Sequence, residues 1–309
     1  MTPTTPLTPA RRPRRWLRPV LIGLAATAAL AAASATTAVA LGHHKLQRLV
    51  ALPPIAQPAW PAEAADPERG RYLYASRGCA DCHGADGAGR VFVDDPSAGM
   101  HLRGPNITRG GSATIAGYTD IDWVRLLRHG VKPDGRAAMI MPAEDYARMT
   151  EQDMAALVTH VRSLPAAEGG GAELRLPVPA WAAYGLGAIR DASEKIDHHA
   201  APSTPVPRAV SVEHGAYVAQ MCVGCHGAGL KGGPIPGGAP DWPDAARLVP
   251  GEGDVMPRYE APEAFVSMLR TGRRPDGTRV KVMPFEALAE LDDVDARALH
   301  LYLRSQATR

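Results

Sequence analysis

Large rings are scarce in this chain: it has three Phe, and Phe, Trp and Tyr together make 5% of its 309 residues. At roughly 100–200 residues per domain the length suits about two domains, and these would have few aromatic side chains to fill their interiors. Gly and Pro together occupy about 19% of positions, below the roughly 25–30% at which low-complexity disorder becomes the default. No segment alternates apolar and polar residues as a half-buried strand does, which leaves helices as the expected framework. Acids are missing from residues 1–48, which hold seven cations: Arg11, Arg12, Arg14, Arg15, Arg18, Lys45 and Arg48. The remainder therefore carries 27 cations against 32 acids, a balance without the basic footprint that nucleic-acid binding needs. Protein partners are expected instead.

Charge is also absent from Pro19 to Gly42, 24 positions of which ten are Ala. At 1.5 Å per helical residue this run can cross a hydrocarbon core about 30 Å thick. The arginines before it would stay cytoplasmic, so everything after His43 is expected across the membrane, in the periplasm. Two fates are open: a retained single-span inner-membrane anchor, or a signal sequence removed at the small-residue pattern Ala38-Val39-Ala40. The expected layout is a basic tail over 1–18, an anchor or signal over 19–42, and a Pro- and Ala-rich stem over 43–65.

Beyond residue 65 the chain repeats itself. Cys79-Ala-Asp-Cys82-His83 returns 143 positions later as Cys222-Val-Gly-Cys225-His226. Gly130-Val-Lys-Pro133-Asp134-Gly135 returns after 142 as Gly272-Arg-Arg-Pro275-Asp276-Gly277, and Met141-Pro142 returns as Met283-Pro284. Landmarks at a shared offset indicate a duplicated module, placed at 66–166 and 209–309. Residues 167–208 are expected to be a Gly- and Pro-rich linker with one short helical turn near Trp181–Ile189. Each module reads as helical. Asp66, Thr119, Thr150 and Ser211 stand as N-caps, Pro67 and Pro262 occupy first turns, and Val294, Ala298, Leu301 and Tyr302 mark the last apolar face.

The four cysteines are used up by the two Cys-x-x-Cys-His strings. Positions i, i+3 and i+4 share a helix face, so two thiols can bond to the vinyl groups of a haem while the adjacent imidazole meets its iron. A zinc ribbon wants cysteine pairs roughly 15–20 residues apart, whereas 139 residues separate these pairs. A thioredoxin-like dithiol belongs in a βαβ setting that is absent here. Two covalently bound haem c groups are therefore expected on Cys79, Cys82 and His83, and on Cys222, Cys225 and His226.

A second iron ligand is sought among thioethers and imidazoles. Met141 lies 58 residues after His83 and Met283 lies 57 after His226. Met139 is the rival in the first module, and Met256-Pro257 is a weaker alternative in the second. His129 and the remaining histidines read as non-ligands, with His43, His44, His198 and His199 facing water. The Pro105 carbonyl is a candidate acceptor for the His83 ring N–H.

The strings Pro105-Asn106-Ile107-Thr108, Arg128-His129-Gly130-Val131-Lys132-Pro133-Asp134-Gly135-Arg136, Met141-Pro142, Met149-Thr150-Glu151-Gln152-Asp153 and Arg162-Ser163-Leu164-Pro165 carry a resemblance. With them the chain resembles the class I cytochrome c domains of membrane-bound alcohol and aldehyde dehydrogenase cytochrome subunits, over nearly all of 66–166 and more loosely over 209–309. The resemblance implies an all-α fold of two tandem class I cytochrome c domains behind an N-terminal transmembrane helix. It implies Cys79, Cys82, His83 and Met141 at one haem, and Cys222, Cys225, His226 and Met283 at the other. The expected function is electron carriage between a dehydrogenase and the respiratory chain, without catalysis of its own, with a dehydrogenase, an oxidase or a soluble carrier as partner. The alternatives are a dihaem subunit of a terminal oxidase, and a dihaem peroxidase-type enzyme, which would need an iron with an open position.

Overall fold

The computed structural model describes residues 17–58, 60, 66–110, 115–239 and 241–306. Arg11, Arg12, Arg14 and Arg15 of the basic tail lie outside these residues, as do parts of the expected stem. Helix α1 spans Leu17–Gln47, so residues 43–47, read as the start of a stem, continue the apolar helix. The chain then lies along the first module: Val50 N–H donates to the Gly135 carbonyl at 2.9 Å, and the Trp60 indole donates to Glu151 at 3.0 Å.

The first module is built from α2 (Pro67–Ser76), α3 (Cys79–His83), α4 (Asp120–His129) and α5 (Glu151–Ser163). Its caps are those the sequence marks. Asp66 accepts from the Glu68 and Arg69 amides, Thr119 and Asp122 form a reciprocal capping box, and Thr150 accepts from the Asp153 amide, each satisfying donors that a helix start leaves open. Leu73, Trp123, Leu127, Met154, Leu157 and Val158 form the core.

The expectation of no strands is corrected. A small antiparallel sheet joins β1 (Val91–Asp95), β2 (Met100–Arg103) and β3 (Glu173–Arg175) in that order, with a register shift between Val91 and Val93. Strands of three to five residues, one of them bulged, are too short and irregular for a period-2 pattern to emerge.

The linker is more ordered than its composition suggests. Besides β3 it forms α6 (Val178–Gly185), which packs along the foot of α1. A Cβ on Gly185 would sit 2.2 Å from the Ala38 carbonyl oxygen and one on Gly42 would sit 2.3 Å from that of Trp181, so both positions need glycine. The His43 ring stacks on Trp181 with centroids 4.1 Å apart, and Lys45–Glu194 (2.8 Å) and Arg48–Asp191 (2.9 Å) fasten the join. His198, read as facing water, instead meets the His129 ring nitrogen at 3.1 Å.

The second module repeats the plan with α7 (Val212–Val218), α8 (Val223–His226), α9 (Pro262–Thr271), α10 (Phe285–Ala289) and α11 (Asp293–Ser305). Its core holds Val218, Phe265, Leu269, Leu291, Leu299 and Leu303. On α11 the buried face differs from the expected one: Leu299 and Leu303 are inside, whereas Leu301 is exposed. First and last helices cross alike in both modules, with Gly70 on Ala156 and Gly215 on Ala298, where a Cβ would stand about 2 Å from a carbonyl oxygen.

The modules pack by a reciprocal exchange. Within each module the first helix reaches the last: Arg69 grips Asp153 with two bonds of 2.8 and 2.7 Å, and His214 Nε2 meets Asp295 at 2.8 Å. Between modules the tyrosines cross, Tyr217 donating to Asp153 at 2.6 Å and Tyr72 to Asp295 at 2.7 Å. Helix α10 rests on α3, and its counterpart turn Ala143–Asp145 rests on α8. The pairing has approximate twofold symmetry.

Candidate functional site

In the first module α3 carries Cys79, Cys82 and His83, while in the second α8 carries Cys225 and His226 and Cys222 ends the 3-10 turn Ala219–Cys222 that leads into it; in both, the chain that follows fixes the imidazole. His83 Nδ1 lies 2.9 Å from the Pro105 carbonyl oxygen and His226 Nδ1 lies 2.7 Å from that of Ala246. A carbonyl only accepts, so Nδ1 carries the proton and Nε2 keeps its lone pair for a metal. Burial opposes a charged ring in both and pushes each pKa down, which keeps the imidazole neutral.

Pro105 is positioned by the segment that the small sheet leads into. Gly89 and Arg90 N–H groups bond back to the His83 and Cys82 carbonyls, and Gly104 N–H bonds to Arg90. Asn106 then ties the turn down, its amide donating to the Ala167 carbonyl at 2.8 Å and its oxygen accepting from the Thr108 amide at 2.8 Å. The sequence offers no comparable sign for Ala246, which lies in a loop without this motif. It emerges only from folding.

The four thiols are free of disulfides. Burial pushes Cys79 up to about 12 and Cys82 up to about 11, and Cys222 up to about 12, so they are not reactive thiolates of the redox-dithiol kind. Among the described residues no three His, Cys, Asp or Glu side chains converge as a metal cage. In each module the donor set, two cysteines and one imidazole with its Nδ1 already engaged, fits a group that brings its own equatorial ligands. A haem does this.

Of the candidate sulfur ligands, Met141 packs against the core to which Cys79 and Ala80 also belong, and among the described residues Met139 does not. Met283 joins the core shared by Cys222 and Val223. Met256 is 3% exposed within that same core, the setting of a space-filling side chain. Met283 also lines a cleft of about 250 Å³ with Cys82, Asp81, Arg90 and Phe285, so the methionine loop of one module borders the cysteine turn of the other. At the opposite crossing the Gly224 N–H, inside the second Cys-x-x-Cys-His turn, donates to Asp145 of the first module at 2.7 Å. Burial pushes the Asp145 carboxyl well up, against the opposing effect of that bond.

Residues 67–165 match the cytochrome c family model, and residues 213–303 match that of cytochrome c oxidase, cbb3-type, subunit III. Over 128 residues the chain is 31% identical to the fructose dehydrogenase cytochrome subunit of Gluconobacter japonicus, covering 38% of this chain and 26% of that subunit. Over 104 residues it is 30% identical to the cytochrome c subunit of the quinone alcohol dehydrogenase of Gluconacetobacter polyoxogenes, covering 32% and 22%. The chain is a dihaem c-type cytochrome. The aligned parts span about a quarter of the length of these relatives. The cytochrome's two covalently bound haems answer the shortage of aromatic side chains, since each module has a porphyrin to pack around.

The crossed tyrosines carry a sequence signal of their own, at a different register from the cysteine motifs. Glu68-Arg69-Gly70-Arg71-Tyr72 and Glu213-His214-Gly215-Ala216-Tyr217 share Glu-x-Gly-x-Tyr at an offset of 145, two more than the cysteine motifs. Comparison at 142–143 alone hides it.

Proposed function

We propose that this cytochrome is a membrane-anchored periplasmic electron carrier that takes electrons from a dehydrogenase and delivers them to the respiratory chain. In this reading two tandem class I domains, at 66–166 and 209–309, are joined by residues 167–208. Cys79, Cys82, His83 and Met141 hold one haem, and Cys222, Cys225, His226 and Met283 hold the other. The observation that carries the reading is the matched geometry of the two sites: an imidazole fixed through Nδ1 to a carbonyl, with a methionine loop packed on the core of the same cysteine turn. When bound, each haem supplies a one-electron Fe(II)/Fe(III) couple. With His83 and Met141 at one haem and His226 and Met283 at the other, the ligands would leave no position for a substrate, and the chain's own task would be to hold the ring, shield it from water and keep the two sites close. The relatives that are cytochrome subunits of dehydrogenases support a dehydrogenase as donor.

The join between α1 and α6 favours a retained anchor. Residues 18–36 of α1 are exposed, a length of about 30 Å that suits a bilayer core, and the foot from Ala38 is packed on the linker. Cleavage after Ala40 would remove Ala38 from its contact with Gly185. N-terminal sequencing of the cytochrome isolated from native membranes is expected to read through the apolar segment; a start at Leu41 would refute the anchor.

Affinity purification from solubilised membranes tests the function. A dehydrogenase is expected to accompany the cytochrome, and its substrate should reduce both haems. The match of residues 213–303 to an oxidase subunit family supports a second reading, a subunit of a terminal oxidase, which recovery of an oxidase core without a dehydrogenase would favour. Intact-mass analysis of protein matured in its host should show two added haems, and Cys222→Ser with Cys225→Ser should leave one.

A further inference from the structure

The pseudo-symmetric modules each carry a hairpin ahead of the methionine loop, and the two hairpins have the same backbone. In the first, Lys132 N–H bonds to Arg136 and Gly135 N–H to Lys132, at 2.8 and 2.9 Å; in the second, Arg274 N–H bonds to Thr278 and Gly277 N–H to Arg274, at the same distances. Their surfaces differ. On the first hairpin Asp134 lies within 3.3 Å of Lys132 and 3.9 Å of Arg136, and the chain leaving α1 lies over it through a Leu49–Arg136 bridge and the Val50–Gly135 bond.

On the second hairpin no segment is laid in that way among the described residues, and the charge is one-sided. Arg273 donates to the Gly277 carbonyl, and Arg274 donates to the Thr278 hydroxyl and the Arg279 carbonyl, while Arg258 stands close enough to act on Asp276 together with Arg274. The hairpin's single acid, Asp276, is engaged by the amide and hydroxyl of Thr278 at 2.9 and 2.6 Å. Among the described residues none of these four arginines has a carboxylate oxygen within 4.0 Å, although Arg274 and Arg258 act on Asp276 from farther away. They stand on a module of acidic composition, 11 cations against 13 acids over 209–309, so the concentration of charge is local. The hairpin runs into Met283 within four residues, and Cys225 in the same module is exposed.

We propose that the Arg273–Arg279 hairpin, with Arg258 beside it, is the docking surface for an acidic redox protein, and that the second module is the end through which this cytochrome exchanges electrons with it. The proposal rests on the electron-transfer reading above. Arginine suits the task because its guanidinium forks onto carboxylates, and a one-signed patch beside a redox centre accelerates encounter with an oppositely charged partner by 10-fold to 10³-fold at low salt.

The test uses the full chain in phosphatidylcholine nanodiscs and stopped-flow reduction followed in the haem α-band. Reduced flavodoxin, an acidic protein, gives up one electron and the cytochrome gains it; reduced lumiflavin, small and uncharged, serves as the control. In R273E/R274E/R279E the flavodoxin rate constant is expected to fall at least tenfold at low ionic strength and to approach the wild-type value in high salt, where screening removes the field. The lumiflavin rate should not change. K132E/R136E on the first hairpin should leave both rates as they are. The milder R273Q/R274Q/R279Q, which preserves the hairpin if the reversal disturbs it, should show an intermediate loss. An unchanged flavodoxin rate in both triple variants overturns the proposal. So does salt-sensitive flotation with phosphatidylglycerol vesicles that the charge reversal abolishes, which would assign the surface to lipid. Failure of either reductant to change the α-band would instead remove the electron-transfer reading itself.

Discussion

Replacing Asp295 by Ala is expected to cost the folded cytochrome about 3–5 kcal/mol, the range found when one member of a buried ion pair is removed and the other stays behind. The side chains of Asp295 and Arg77 are 0% and 5% exposed, with 3.3 Å between charged atoms. Three groups would lose their acceptor at once: the Arg77 guanidinium, the His214 ring and the Tyr72 hydroxyl. Two of these belong to the other module, so the loss falls on the interface as well as on the start of α11. Tyr72→Phe, which removes one donor and strands no charge, should cost about 1 kcal/mol. Denaturant unfolding followed by far-UV circular dichroism separates the cases, and a cost for Asp295→Ala no larger than that for Tyr72→Phe would show that the carboxylate is not desolvated. Replacing Arg77 and Asp295 together by Met and Leu should recover much of the loss, because no unpaired charge then remains.

The same carboxylate sets an acid limit. Burial alone would raise its pKa, but Arg77 and the bonds from His214 and Tyr72 outweigh burial and hold it at about 2, against 3.8 unperturbed. Its contribution is therefore complete above pH 4 or so, declines as pH falls through the interval between the two values, and is gone below about 2. Asp153, held down by Arg69 and the crossing Tyr217 despite its own burial, adds to the same limb. In Asp295→Asn the fall of stability between pH 4 and 2 should be shallower than in wild type.

What could be read in advance follows from how local each signal is. The cysteine motifs, the caps at Asp66, Thr119, Thr150 and Ser211, and the methionine loops are each set by a few adjacent residues, and the four caps stand where expected. The crossed tyrosines depend on two modules meeting, and their motif is displaced by two residues because six residues separate Tyr72 from Cys79 while four separate Tyr217 from Cys222. The carbonyl of Ala246 is defined only by where a loop passes the imidazole. Pro and Gly in residues 167–208 do signal breaks in helix, but they give no warning that Gly185 lets α6 lie against α1.

Met141→Ala and Met283→Ala should each remove one sulfur-to-iron charge-transfer band and lower one of the two reduction potentials. The drop should be on the order of 0.1 V or more, within the roughly 0.8 V that axial ligands span. A thioether is a weak, polarizable donor that favours the less charged iron, and water or hydroxide entering in its place stabilises ferric iron. The choice between rivals can be decided in the same experiment. Met256 is buried in the second core, to which Leu230, Tyr259 and Leu303 also belong, so Met256→Leu, which nearly conserves volume, should leave both bands and both potentials in place at a cost under about 1.5 kcal/mol. Met139→Leu should likewise leave the first site unchanged. Because Met283 borders the cleft that also holds Cys82, charge gained at one site is felt at the other. Met283→Ala should therefore displace the first haem's midpoint slightly as well as its own. A redox titration in which Met139→Leu or Met256→Leu loses a band, and the matching Met141 or Met283 variant keeps it, would reassign the sulfur ligand of that module.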